Sequence, residues 1–350
     1  MKYYFPSIIT SLDFPPGALP SSFHTVNSGA NGVRLLLRSY GLKKGSKVAI
    51  PMYVCDSLKE VVYKEGFEPL YLDLEDDTTF WTHYDTELLL KEKPAVIILV
   101  HLYGFLHPDT NAVVEFCKGN HVFLIHDAAQ SFGINEDMLT YSSGLIYSFG
   151  PGKSSTAAGG AVVKGLNGEF YKTNCIEHSN FTRHTKEKLF LKSRIYGYKF
   201  SFADKLLSKI VYRVKAKDTI SKMTGFQLAA AAAAVQLVKS KEEERKLRYK
   251  ILEEAVKVNT SLSIPYNDEK GLYFKMILAV KKNMSAFKEY LKKNDVPFFS
   301  LNDELLLDKD KQVQFPVFCE TAATFIELSA EASIPVEEIK RVANVLRQYA

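Results

Sequence analysis

The sequence is short of the features that define several large classes of protein. Its four cysteines, at positions 55, 117, 175 and 319, lie far apart and include no C-x-x-C pair. That spacing fits free thiols in a reducing compartment, the cytoplasm, better than a disulfide framework or a zinc site. No apolar run approaches membrane-spanning length, and the N-terminal stretch MKYYFPSIITSLDFPPGALP is too broken to be a signal peptide. The eight histidines include no pair at metal-ligand spacing on a convincing helix face, so no metal site is expected. Internal repeats are absent as well.

What is present is the composition of an ordinary globular chain, 46% hydrophobic and 24% charged over 350 residues. That length is large for one core and predicts a large domain, residues 1–238, with a smaller one, residues 239–350, attached. The net charge of +5 is uneven. From Arg183 to Lys217 there are eleven Lys and Arg against two acids, Glu187 and Asp204, leaving the remainder net negative. A basic, aromatic-studded segment on a mildly acidic body suggests a solvated helical face or a local anionic partner, such as a nucleotide diphosphate or an acidic membrane surface, rather than a nucleic-acid surface.

Along the first two-thirds of the chain, helical stretches alternate with the apolar runs KVAIP, PLYLDL, AVIILVHLYG, HVFLIHDAA, SGLIYSFG and GGAVVKG. These runs are rich in Val, Ile and Leu with little polar alternation, as expected of strands buried on both faces of a mostly parallel sheet. The fold class is therefore α/β, a three-layer large domain. A helix is expected from Asp56, with its carboxylate as the cap. GFQLAAAAAAVQLVKS reads as a close-packed helix and the charge run 239–250 as a solvated face. LYFKMILAVKK then predicts a strand, SAFKEYLKKNDV a helix and IPVEEIKRVANVLRQ a closing amphipathic helix, together a small α+β domain.

The stretch SFGPGKSST, 148–156, has the look of a phosphate loop, but Tyr147 occupies the position where G-x-x-x-x-G-K-[ST] needs its first glycine. A different reading comes from the ends of the apolar runs, where ligands bind in open parallel sheets. Polar residues gather there: His126-Asp127-Ala128-Ala129-Gln130, Ser148 with Lys153 five residues on, and Asn27-Ser28-Gly29-Ala30-Asn31-Gly32 leading into a helix. The last is a small-residue turn at a helix N-terminus, where backbone amides favour an anion. His101 and His126 adjoin strand ends, as substrate contacts or as packed residues.

In order, Ser28-Gly29-Ala30, IPMYVCDS, VHLYG, HDAAQSFG and SFGPGKSSTAAGG resemble the motifs of the DegT/DnrJ/EryC1/StrS family of sugar aminotransferases, fold-type-I pyridoxal-phosphate enzymes. The resemblance covers about residues 20–240 and continues more loosely through MTGFQLAAA. It implies the cofactor pyridoxal 5'-phosphate. Lys153 would bond its aldehyde and shuttle a proton, Asp127 would pair with its pyridine nitrogen, and Gln130 would lie beside its ring hydroxyl. Ser28, the Gly29 and Ala30 amides and Ser148 would hold its phosphate. Tyr53 is the nearest aromatic for stacking on the ring, although Cys55 stands where many members have that aromatic. The resemblance further implies a homodimer that moves an amino group, from glutamate, to a nucleotide-linked keto sugar in surface polysaccharide or glycoconjugate biosynthesis. The alternatives are a related enzyme acting on a non-sugar carbonyl, a sugar dehydratase, and a non-catalytic binding or regulatory protein. One departure concerns the phosphate: where many members carry N-Y-R, whose asparagine reaches the neighbouring subunit's cofactor, this chain has Ile220-Ser221-Lys222, with Lys222 or Lys217 as candidate replacements.

Overall fold

The computed structural model describes residues 19, 21–76, 78–132, 141–177, 187–189, 191, 219–281, 283–300 and 313–349. The basic segment 183–217 lies outside these residues except at 187–189 and 191, and Lys217 lies outside them too.

Seven strands, β1 (His24–Val26), β2 (Lys47–Pro51), β3 (Glu68–Leu72), β4 (Val96–Val100), β5 (Phe123–Asp127), β6 (Gly144–Ser148) and β7 (Ala161–Lys164), form one sheet in the order β1-β7-β6-β5-β4-β2-β3. Strands β2 to β6 pair in parallel. Helices α1 (Gly29–Ser39), α2 (Asp56–Lys64), α3 (Thr86–Glu92) and α4 (Thr110–Asn120) fall between successive strands from β1 to β5. The apolar runs are buried as their composition requires, with Val96, Ile97, Ile98 and Leu99 all without solvent exposure. β7 is antiparallel to β6 because residues 149–160 return the chain as a hairpin loop with no crossover helix. β1 is in turn antiparallel to β7.

Two local expectations are corrected. Cys55, whose backbone is extended, occupies the N-cap of α2 without a side-chain bond to the helix's backbone N–H groups, and Asp56 is already helical, so its carboxylate lies in the first turn instead of capping it. The charge run 239–250 is not wholly solvated. In α7 (Glu242–Lys257), which follows α5 (Gly168–Asn174) and α6 (Gly225–Ser240), Arg245 and Arg248 are buried. They turn inward because carbonyls await them: Arg245 Nη2 donates to Val238 O at 2.5 Å and Arg248 Nε to Ile334 O at 2.8 Å.

The alanine run of α6 is a packing device. Ala230 to Ala234 are buried, and their small side chains let the helix lie close against Tyr147, Phe149, Ala157 and Val162. Its N-terminus is fixed by a capping box between Thr224 and Gln227, and Gln227 Nε2 also donates to Ala158 O at 3.3 Å.

A second sheet, order β10-β9-β8, is antiparallel and built from β8 (Leu262–Ser263), β9 (Lys275–Val280) and, after α8 (Met284–Lys293) and α9 (Pro316–Ala322), β10 (Phe325–Ser329). With α7, α8 and the closing α10 (Val336–Gln348) it encloses a separate core of Leu252, Met276, Leu278, Phe287, Ile326 and Leu346. The two sheets are tied at their junction: Asp73 accepts the Phe318 and Val317 N–H groups at the start of α9, at 2.8 and 3.3 Å, and Leu272 N donates to Gly104 O at 3.0 Å.

Candidate active site

The sheet register brings the polar strand ends together. Val100 pairs with Asp127, Asp127 with Ile146, and Ser148 with Ala161, which also pairs with Val26. The carboxyl ends of β4, β5, β6 and β1 therefore form one edge, and the turn after β1 arrives beside Ser148. The approach is close: a Cβ on Gly29 would stand 3.4 Å from Ser148 Cβ, in van der Waals contact with it. Ser28 is the N-cap of α1, its hydroxyl accepting from Asn31 N at 3.2 Å, and the first turn of that helix holds no acid. Ser148 Oγ accepts from Gly150 N at 3.3 Å. Both hydroxyl protons point away from these contacts, so Ser28, Ser148 and the Gly29 and Ala30 amides form a donor set suited to a phosphate. The Ala30 methyl packs on the core, leaving only its backbone for the site.

Lys153 sits in the hairpin loop between β6 and β7, and hydroxyls hold that loop rigid. Lys153 N donates to Thr156 Oγ1 at 2.9 Å, Thr156 Oγ1 donates to Lys153 O at 2.7 Å, and Ser155 Oγ donates to Ser148 O at 3.1 Å. Gly152, at φ +73°, makes the turn before it. Asp127, 8% exposed, accepts from Ala129 N at 3.0 Å. Burial pushes its carboxyl above the ordinary value of 3.8, against the opposing pull of the Lys153 ammonium and the Ala129 N–H.

A cavity of about 300 Å³ opens over Lys153 and Gln130 and is walled by Tyr53, Tyr103, Lys275, Phe318 and Glu327 among others. Gln130 is oriented by Tyr103, whose N–H donates to Gln130 Oε1 at 3.0 Å. Tyr53 is in the wall, but its ring is 6% exposed and packed by Phe318 and Phe325 at centroid distances of 6.2 and 6.1 Å. Cys55 lines the same cavity. The structure thus gathers Lys153, Gln130 and Tyr53 round one space, with Asp127 buried near the lysine, and Ser28, Gly29 and Ser148 as a neighbouring group.

The strand-end histidines take the packed alternative. His101 and His126 are without solvent exposure and stack at 5.3 Å. His107 N donates to His101 Nδ1, so His101 Nε2 carries the proton and donates to His126 Nδ1 at 3.0 Å, and His126 Nε2 in turn donates to Tyr141 O at 3.1 Å. Both rings are neutral, and burial pushes the His126 imidazole down to about 4. Lys222, weighed above for the phosphate, is engaged elsewhere: its Nζ lies 2.5 Å from Glu177 Oε1 and over the Tyr171 ring. The segment beside it is bonded to the phosphate turn instead, Asn27 N donating to Ser221 O at 2.8 Å and Asn27 Nδ2 to Thr219 O at 3.1 Å.

Three residues of the cavity have no role in the motif reading: Tyr103, which lies inside VHLYG, and Lys275 and Glu327, which lie outside every motif. The signal available for two of them is a charge inside an otherwise apolar strand, the lysine of LYFKMILAV and the glutamate of FIELS.

The motif order and this geometry agree with a comparison against known families, in which the model of the DegT/DnrJ/EryC1/StrS aminotransferase family matches residues 22–347. The chain belongs to that family. Enzymes of the family use pyridoxal 5'-phosphate. Among similar proteins is the GDP-perosamine synthase of Escherichia coli O157:H7, 29% identical over 143 residues, 40% of this chain and 39% of that one. Another is the dTDP-3-amino-3,4,6-trideoxy-alpha-D-glucose transaminase of Streptomyces venezuelae, 30% identical over 146 residues, 40% and 38% of the two chains. The matches therefore span about two-fifths of the length of these relatives. The fold extends further: a DegT DnrJ EryC1 StrS aminotransferase from Brucella abortus superposes with a TM-score of 0.68 over 93% of this chain and 85% of its own, at 19% identity. Among the described residues no helix is long and apolar enough to cross a membrane, and no cluster of His, Cys, Asp or Glu could hold a metal ion.

Proposed function

We propose that this family member is a pyridoxal-phosphate-dependent aminotransferase that takes an amino group from an amino acid, glutamate being the expected donor, and delivers it to the ketone of a nucleotide-linked sugar. The observation that carries the reading is the juxtaposition of Lys153 and buried Asp127 behind a cavity of about 300 Å³, beside the anion-suited turn of Ser28, Gly29 and Ser148. The relatives' names, a perosamine synthase and an amino-sugar transaminase, support the nucleotide-sugar acceptor.

The residues fit the cofactor. Asp127 is a desolvated carboxylate that gains from a second cation, which a protonated pyridine nitrogen would be; Gln130, held by Tyr103, would lie beside the ring hydroxyl; Ser28, Gly29, Ala30 and Ser148 would hold the phosphate. Tyr53 would bound the ring from the cavity wall. When bound, the cofactor supplies an aldehyde to carry the amino group and a ring to accept the electron pair released at the substrate carbon. Lys153 Nζ, on a loop that Thr156 and Ser155 hold in place, is the base that takes the proton from that carbon and returns it. Asp127, buried and within the field of Lys153, would pair with a cation on the ring. Tyr53, Tyr103, Phe299 and Phe318 in the cavity wall would limit the water that reaches the exchange.

The working form is proposed to be a homodimer, the large domain to end near residue 238, and the compartment to be cytoplasmic, the last supported by four unpaired cysteines, three of them buried. The deciding experiment is the visible spectrum of the purified protein before and after glutamate. A cofactor absorbance band that shifts on adding glutamate and is lost in Lys153→Ala is the expected outcome. A protein that cannot be loaded with pyridoxal phosphate, or a band indifferent to Lys153→Ala, overturns the reading.

A further inference from the structure

The second sheet sends two opposite charges into the cavity that Lys153 lines. Lys275 opens β9 and Glu327 lies in β10; because Lys275 pairs with Ser329 and Ile277 with Glu327, the two are diagonal neighbours on one face. Lys275 Nζ lies 2.6 Å from Glu327 Oε2, and both side chains are nearly buried, at 9% and 13% exposure. The lysine also lies over the Tyr103 ring at 5.5 Å. Tyr103 OH donates to Glu327 Oε1 at 3.1 Å, so in the 2.6 Å contact between Tyr53 and Tyr103 the donor is Tyr53. Burial and the Glu327 charge push both phenols above their ordinary value, so both keep their protons. Two donors, Lys275 Nζ and Tyr103 OH, thus converge on one carboxylate, and Tyr53 backs the second of them. Its far end reaches the site, since Tyr103 N–H holds Gln130.

A cluster of donors converging on a carboxylate inside a substrate cavity is a carboxylate-binding site whose occupant is the chain's own glutamate. We infer that Glu327 is an internal stand-in: the carboxylate of an amino-acid donor displaces it from Lys275 Nζ and Tyr103 OH, and it returns when the sugar ketone, which has no carboxylate beside its reacting carbon, fills the cavity. The inference rests on the aminotransferase reading, which requires one cavity to receive a ligand with a carboxylate beside its reacting carbon and then a ligand without one. A Lys275 without Glu327 would suit the first and leave a buried ammonium without its carboxylate counter-charge with the second. With Glu327 at hand the ammonium is paired in both states, and no bond is made or broken beyond hydrogen bonds.

The test is calorimetric titration of the purified full chain with glutarate, which carries the carboxylates of a donor but no amine and so binds without reacting. Glu327→Gln, which keeps the size of the side chain and removes its charge, is expected to bind glutarate at least ~10-fold more tightly than wild type, and Lys275→Met at least ~10-fold more weakly. Tyr103→Phe, which deletes one hydroxyl, is expected to weaken it severalfold. A merely structural ion pair would make Glu327→Gln bind no better than wild type, and that result overturns the inference. So does glutarate binding that Lys275→Met leaves unchanged, or failure of both wild type and Glu327→Gln to bind. The glutamate-induced spectral shift separates this from the parent reading: a spectrum that responds while glutarate binding ignores both substitutions sinks the exchange site alone, whereas the expected glutarate pattern without any spectral response keeps the carboxylate site and sinks amino transfer.

Discussion

At the scale of single residues, the chain buries a carboxyl whose charged form folding alone disfavours. Asp127 has its carboxyl raised by desolvation, and Lys153 and one N–H only partly offset this. A carboxyl whose folded value lies above its unfolded value of 3.8 contributes stability below that pH and loses the contribution as pH rises through the folded value. Asp127→Asn is therefore expected to unfold, without cofactor, at a temperature no lower than wild type. Its turnover is expected to fall roughly 10- to 100-fold, the worth of one hydrogen bond between charged groups. Thermal unfolding and steady-state rates measured on the same preparation check both halves. A variant that is markedly less stable yet fully active would contradict the assignment of Asp127 to the site. Asp127 and Lys153 were legible in the sequence because each sits just past an apolar run, in an order of motifs that single residues could not have supplied.

At the scale of elements, the ends of β4 and β5 are held by histidines that must stay neutral. His101, His107 and His126 each accept one hydrogen bond and donate another, and His107 and His126 are pushed down to about 4 from an ordinary 6.5. Between these values the unfolded chain binds protons that the folded chain refuses, so stability rises with pH across the window and is lost as pH falls from about 6.5 toward 4. Each histidine contributes a slope of up to about 1.4 kcal/mol per pH unit. Urea denaturation at pH 7, 6 and 5 is expected to show a falling midpoint, and a constant or rising midpoint over that range would refute the neutral tautomers. The strands themselves were readable because parallel strands buried on both faces leave unbroken Val, Ile and Leu runs. The antiparallel direction of β7 was not, since it follows from a loop without a helix and not from the strand. Nor were β1 and β8, whose three and two residues leave too little pattern to separate from loop, or β10, whose glutamate and serine break its apolar run.

At the scale of the whole molecule, the cavity is made by two sheets whose contributions are far apart in the chain. Tyr103 and Glu327 are separated by 224 positions, and no local pattern in either VHLYG or FIELS announces the contact. Only the folded register, with Asp73 capping α9 and Gly104 bonded to Leu272, brings them together. A ligand seated in this cavity bridges both sheets and binds only when both are in place, so it must stabilise the chain as a unit by mass action. Pyridoxal phosphate at ~100 times its dissociation constant is expected to add about 2.7 kcal/mol, a rise of a few degrees for a chain of this size. If the two sheets unfold together, the whole transition moves; if they unfold separately, both transitions move, since each contributes walls to the site. Differential scanning calorimetry with and without pyridoxal phosphate measures this, and Lys153→Ala should lose most of the increment. A shift confined to one of two transitions would mean that the ligand rests on the seven-stranded sheet alone, and the small sheet's Lys275 and Glu327 would then have no part in holding what binds there.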